Sequence, residues 1–153
     1  MNLPETEFVD RMGLIMERLG GTRTMGRLYA WLMICDPPEQ SLTDLASKLG
    51  VSKTAVSTVA RQLELSGMAE RVPAATREHR YRMVGGGWDQ IMRGRLAIVR
   101  QSLDTLDFGL SILGDDQPGQ RDRLSDTRKF FAFVLQDSDE MFERWKEYRE
   151  KPS

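Results

Sequence analysis

Lys53, Thr54, Ser57 and Arg61 fall on one side of a helix when residues are placed about 100° apart, with Thr58 at the edge of that face. Two cations among short hydroxyl side chains suit the major groove of a duplex. Lysine and arginine reach guanine or phosphate, and serine and threonine reach base edges or phosphate. Val56, Val59, Ala60 and Leu63 give the same helix an apolar face on the other side. An amphipathic helix with an ordinary solvated exterior is the competing reading.

A second basic cluster follows. Arg77 and Arg80 surround the tip of a short polar turn, a place from which an arginine can enter a minor groove, where narrow A·T tracts concentrate negative potential. Plain surface solvation is the alternative for each of them. Arg71 and Arg82 lie on the flanking segments and can reach phosphate or pack by their stems.

Other chemistry is thin. The chain has one cysteine, Cys35, and one histidine, His79. They permit neither an internal disulfide nor a Cys/His zinc site, and no metal or cofactor is expected. His79 stands in an arginine-rich turn without a nucleophile motif nearby, so no Ser-His-Asp triad forms and no enzyme is expected. Gly85-Gly86-Gly87 lacks the Lys-Ser/Thr of a phosphate loop and reads as a hinge. Cys35 reads as a buried small hydrophobe, since a redox sensor needs exposure and a lowered pKa. Trp31, Trp88 and Trp145 read chiefly as packing residues, although aromatic cages bind quaternary ammonium ions. Trp31 and Trp88 are the effector-site candidates.

The elements that must position these residues follow from spacing and punctuation. Of 153 residues, 40% are hydrophobic and 29% charged, enough for a core without staples. Phe8, Met12, Ile15, Met16 and Leu19 predict a first helix over about residues 4–19, closed by Gly20-Gly21. Residues 25–35 are apolar almost all round and predict a buried helix ending at Asp36-Pro37-Pro38. Ser41-Leu42-Thr43-Asp44 opens a short helix that Gly50 stops, and Ser52 caps the next, which runs to Gly67. Ala46 four residues before Gly50 is the small residue that two helices meeting at a tight turn require.

Residues 69–73 and 80–84 predict two strands joined by the turn 74–79. Helix, helix and hairpin together make a winged helix. Beyond the glycines, Trp88, Met92, Leu96, Val99, Leu103, Leu106, Leu110 and Leu113 form a heptad-like stripe. Leu96, Val99, Leu103, Leu106 and Leu110 are therefore candidate dimerisation residues. A further long helix, or two with a joint near Asp137-Ser138-Asp139, fills the rest.

The net charge of −1 hides an asymmetry. Residues 52–100 carry 9 basic and 4 acidic side chains, against 5 and 7 before them and 8 and 12 after. A basic centre between acidic flanks fits a nucleic-acid reader with separate assembly regions. Met1-Asn2-Leu3-Pro4-Glu5 has neither a basic nor an apolar leader region, and no apolar run approaches a membrane span. The expected address is the cytoplasm, with no membrane partner.

The ordered series Phe8-Val9-Asp10-Arg11-Met12-Gly13, Met25-Gly26-Arg27-Leu28-Tyr29 leading to Asp36-Pro37, Ser41-Leu42-Thr43-Asp44-Leu45-Ala46, Ser52-Lys53-Thr54-Ala55-Val56-Ser57, Gly67-Met68-Ala69-Glu70-Arg71-Val72 and Arg80-Tyr81 resembles a known family. It is similar to the MarR-type winged-helix transcriptional regulators, and within them to the GbsR-like branch. The resemblance spans about Phe8 to Leu113 and does not reach residues 119–153. It implies a bacterial homodimer on double-stranded DNA with a roughly palindromic operator, usually a repressor and often responsive to a small molecule. Ser52, Lys53, Thr54, Ser57 and Arg61 then occupy recognition-helix positions, with Arg77 at the wing. GbsR-type proteins include choline responders, and some MarR-type proteins sense oxidants through cysteine.

The expected fold is mainly α: a winged helix-turn-helix with a two-stranded β-wing, flanked by N- and C-terminal dimerisation helices. Its expected parts are an N-terminal helix over 1–24, the winged domain over 25–87 and C-terminal helices over 88–153. A winged helix serving protein–protein interaction inside a larger assembly is the alternative function.

Overall fold

The computed structural model describes residues 1–73 and 77–152. The chain is mainly helical, with one small antiparallel sheet. It divides into two units, Met1–Ile91 and Met92–Ser153.

In the first unit, helix α1 (Leu3–Arg18) starts one residue before the predicted helix and ends one residue short of it. The reason for the early start is Asn2. Its side chain accepts from the Glu5 N–H while the Glu5 carboxylate accepts from the Asn2 N–H, a reciprocal pair that satisfies two free donors. Helix α2 (Arg23–Ile34) is capped by Thr22, whose hydroxyl accepts from the Met25 N–H. The two helices cross where Gly13 and Gly26 face each other.

Strand β1 (Gln40–Ser41) leads directly into helix α3 (Leu42–Leu49), which Ser41 caps through the Asp44 N–H. Gly50 ends α3 with φ 65°, a left-handed conformation that glycine adopts without a Cβ penalty. Helix α4 (Lys53–Leu65) follows after Gly50, Val51 and Ser52. Strands β2 (Ala69–Val72) and β3 (Arg80–Met83) pair in the register Val72 to Arg80 and Ala69 to Met83. Residues 74–76 of the expected polar turn lie outside the described residues.

The sheet has three strands where the spacing predicted two. Gln40 and Ser41 pair with Tyr81 and Arg80, so β3 is central in the order β1-β3-β2. Leu28, Leu45, Val56, Ala60, Leu63 and Met68 are fully buried and form one core with Val9 and Met16 of α1. Arg27 ties α1 to the helix pair: its Nε donates to Asp10 at 2.9 Å and its Nη1 to the Leu49 carbonyl at 3.0 Å. That carbonyl is at the C-terminal end of α3, where a cation is favoured.

Helix α5 (Trp88–Ser111) covers the predicted stripe up to Leu110, and helix α6 (Pro118–Glu150) runs unbroken through Asp137-Ser138-Asp139. Within the second unit the two are antiparallel. Asp107 pairs with Arg128, Arg100 with Asp139 at 3.5 Å, and the Arg93 guanidinium lies 4.3 Å from the Phe142 ring centroid. Arg121 donates to the Leu110 and Leu113 carbonyls, closing the C-terminal end of α5. Among the described residues, no helix is long and apolar enough to cross a membrane.

Candidate nucleic-acid interface

Helix α4 has the two faces its sequence requires. Val56, Val59, Ala60 and Leu63 are buried, while Lys53, Thr54, Thr58 and Arg61 are exposed and Ser57 is half-buried. Ser52 is exposed, but its hydroxyl already accepts from the Ala55 N–H at 3.1 Å as the N-cap. Its hydroxyl proton remains available to an outside acceptor. Thr58 donates back to the Thr54 carbonyl at 3.1 Å, which leaves its oxygen free to accept. Among the described residues, Arg61 makes no ion pair. Its charge faces solvent.

Lys53 differs. Its Nζ lies 3.4 Å from a carboxylate oxygen of Glu78, at the wing tip. The same oxygen accepts from the Thr43 N–H at 2.9 Å and from the Thr43 hydroxyl. These bonds from Thr43, with the Lys53 charge behind them, hold the Glu78 carboxyl below the usual carboxylate range. Sequence reasoning missed Glu78. The available signal was the one acid in the turn 74–79, next to Arg77, and its partner is 35 positions away.

Arg77 is exposed beside Glu78, as a residue entering a groove must be. Arg80 is half-buried on the central strand, opposite both Ser41 and Val72. Neither makes an ion pair with a described residue. Tyr81, between Arg80 and Arg82, is buried, so the two arginines alternate onto the other face of the sheet. Arg82 is held by Glu70 across the β2–β3 pair and by Glu39 at 3.6 Å. It serves the sheet. Lys53 at the start of α4 and Glu78 of the wing are thus brought together, with Arg77 next to Glu78 in the chain, whereas Arg80 stands on the central strand.

Both effector candidates take part in packing within the first unit. Trp31 is buried, donates to Gln40 at 3.4 Å and lies under the Lys48 ammonium, 5.6 Å from the ring centroid. Trp88 donates to the Tyr29 hydroxyl at 3.2 Å and meets that ring edge-on. Trp145 is partly exposed and stacks on Tyr148. His79 is exposed, and its carbonyl accepts from the Leu42 N–H. Cys35 is half-buried, and burial pushes its thiol above the usual range, the wrong direction for a thiolate sensor.

On α5, Leu96, Val99, Leu103, Leu106 and Leu110 are all half-buried, and none of the helix's residues is fully buried. On α6 only Phe142 is.

Comparison with known proteins fits this geometry. A model of the MarR family matches residues 32–75, which include α3, α4 and β2. A model described as MmpR5-like MarR family transcriptional regulator matches residues 86–148. The chain is 36% identical over 129 residues to the HTH-type transcriptional regulator MmpR5 of Mycobacterium tuberculosis, covering 84% of this chain and 78% of that protein. A crystal structure described only as a transcriptional regulator superposes with a TM-score of 0.65 at 33% identity, covering 94% of this chain and 99% of the other. The archaeal chromatin protein TrmBL2 shares the fold at 20% identity and a TM-score of 0.52, over 72% of this chain and 45% of its own. The chain belongs to the MarR family of transcriptional regulators, in its MmpR5-like group. The MmpR5-like match extends to residue 148, beyond the reach of the motifs read from the sequence.

Proposed function

We propose that the chain is a sequence-specific, DNA-binding transcriptional regulator without catalytic activity, reading a palindromic operator as a homodimer. The observation that carries the reading is the outer face of α4. It presents Lys53, Thr54, Ser57, Thr58 and Arg61 opposite a fully apolar inner face, directly after the Gly50 turn. A helix of that kind enters a major groove with its first residues toward the base edges. Ser52 and Lys53 serve phosphate, Ser57 and Arg61 serve base edges or phosphate, and Arg77 serves the minor groove. Arg80 supports the wing and reaches phosphate.

The parts divide as residues 1–24 and 88–153 for dimerisation around the winged domain 25–87. Dimerisation through Leu96, Val99, Leu103, Leu106 and Leu110 sets two recognition helices about one DNA turn apart, roughly 34 Å. Any ligand that alters this spacing loosens the fit to both half-sites, which is how a repressor of this build releases its operator. A small-molecule effector belongs to the proposal on that ground, with Trp31 and Trp88 as its residues to test. The likeness to the GbsR-like branch belongs here too, on the motifs between Phe8 and Tyr81. So do a bacterial source and a cytoplasmic address.

A second reading has its own observation. Phe130, Phe133 and Tyr148 of α6 are more than 60% exposed, a surface that a protein partner could cover. In that case the winged helix is an interaction module. Selection of bound duplexes from a random pool separates the two. An enriched palindrome whose affinity falls with salt supports the regulator. Failure to enrich any sequence, with binding indifferent to salt, overturns it in favour of the module.

A further inference from the structure

We propose that Glu78 is the positioning residue of this DNA-binding surface: its carboxylate fastens the wing tip to the first turn of α3 and to Lys53 at the start of α4, and so fixes where Arg77 stands relative to the recognition helix. The inference rests on the DNA-binding reading of α4.

The argument starts from the open end of α3. A helix leaves its first N–H groups without intrahelical partners. Here the first three are all answered: Leu42 N–H by the His79 carbonyl at 3.3 Å, Thr43 N–H by Glu78 at 2.9 Å, and Asp44 N–H by the Ser41 hydroxyl at 3.1 Å. Two of these three partners come from the wing. A carboxylate at that end is also favoured by the helix dipole. The Thr43 hydroxyl gives Glu78 a further bond, and the side chain of Glu78 keeps only 34% of its surface exposed.

The same oxygen meets Lys53, the first residue of α4. One acid therefore links wing, α3 and α4, the three elements that must hold a common geometry if a groove-reading helix and a wing arginine are to engage one duplex. Arg77 adjoins Glu78 in the chain, so anchoring Glu78 sets the backbone from which Arg77 extends. The Glu78 carboxylate oxygen that meets Thr43 also meets Lys53. Its negative charge would repel phosphate unless it were compensated, and Lys53 compensates it.

Two substitutions in the full-length protein separate the functions of this carboxylate. Glu78→Ala removes both the bond to Thr43 and the charge facing Lys53, and Glu78→Gln keeps a carbonyl acceptor for Thr43. In free Glu78→Ala, exchange of the Thr43 amide should accelerate roughly tenfold or more. The Val59 and Leu63 amides of α4 should stay as protected as in the parent, which shows that the fold survives. On duplexes taken from the random-pool selection, the parent and Arg77→Ala define the wing's preference for A·T-rich flanks. Glu78→Ala should lose that preference, Glu78→Gln should keep most of it, and adding Glu78→Ala to Arg77→Ala should cost no further flank discrimination. A Glu78→Ala protein that keeps the parent's flank preference overturns the proposal while leaving the DNA reading intact. So does an unchanged Thr43 exchange rate. A parent that binds no duplex removes the DNA reading itself, and this proposal with it.

Discussion

Gly26 of α2 lies so close to α1 that a Cβ on it would stand 2.8 Å from the Cα of Gly13 and 2.5 Å from the Met12 carbonyl oxygen. The crossing of the first two helices depends on the absence of two side chains. A Cβ on Gly13 would in turn meet the stem of Arg27, 2.8 Å away. Arg27 is the residue that joins Asp10 of α1 to the end of α3, so the close approach and the ion pair belong to one joint.

Gly26→Ala should therefore destabilise the chain although alanine is the better helix former. The gain in propensity is about 1 kcal/mol. The methyl group meets backbone rather than a movable side-chain end, and overpacking of this kind costs about 1–3 kcal/mol. Thermal unfolding should show a melting temperature several degrees below the parent. An unchanged or raised value would mean that the two helices can separate at no cost.

This joint also shows what the sequence could convey. The apolar inner face of α4 was readable because Val56, Val59, Ala60 and Leu63 follow the helical period, and the Gly50 stop was readable because a left-handed turn needs glycine. Nothing local marks Gly26 as a contact, since its partner belongs to another helix. Strand β1 has two residues, too few to show a period, and it exists because β3 offers an open edge to Gln40 and Ser41. The Glu78 anchor needs Thr43 brought back from the far side of the helix pair. Of the two readings left open for residues 118–150, one helix or two, the structure has one: Ser138 donates to the Val134 carbonyl at 2.6 Å and α6 continues through it. Periodic faces are local information; pairings are not.

Asp107 carries the second prediction. The hydrogen bond from Arg128, supported by its charge, holds the Asp107 carboxyl below the usual range and raises Arg128 in turn. A depressed folded-state pKa contributes stability that is present above the unfolded value of about 3.9 and is lost as pH falls through the folded value. Carboxyl NMR should show Asp107 titrating below its unfolded value, and Arg128→Gln should move the midpoint upward. An Asp107 midpoint at the ordinary value in the parent would mean the pair does not persist in solution.

Arg61 and Ser57 test the recognition face. Arg61 is exposed and makes no ion pair among the described residues, so Arg61→Ala should change stability by no more than about 0.5 kcal/mol, read by thermal unfolding. Affinity for the selected operator should nevertheless fall. If the guanidinium meets phosphate, the salt slope drops by about one; if it meets guanine, discrimination at one position weakens by about 1–3 kcal/mol. Ser57→Ala should shift preference among operator variants. Parental behaviour of both variants across a salt series would remove α4 from the groove.

The final prediction concerns the apolar surface of the second unit. Leu96, Val99, Leu103, Leu106 and Leu110 share one face of α5 and are only half-buried. An isologous two-fold contact would bury what this stripe leaves exposed. Gly94 and Gly109 each weaken α5 by about 1 kcal/mol relative to alanine, so the helix depends on packing for its stability. Leu103→Glu or Leu106→Glu would place a charge within that contact. Sedimentation at micromolar concentration should give a dimer for the parent and a monomer, or an unfolded chain, for either variant. Circular dichroism distinguishes those two outcomes. Tight operator binding should vanish in both variants although every residue of α4 and the wing is intact, because one half-site supplies only half of the contacts. A parent that sediments as a monomer yet binds a full palindrome tightly would refute the dimer, and a monomer without DNA affinity would leave the interaction module as the better account.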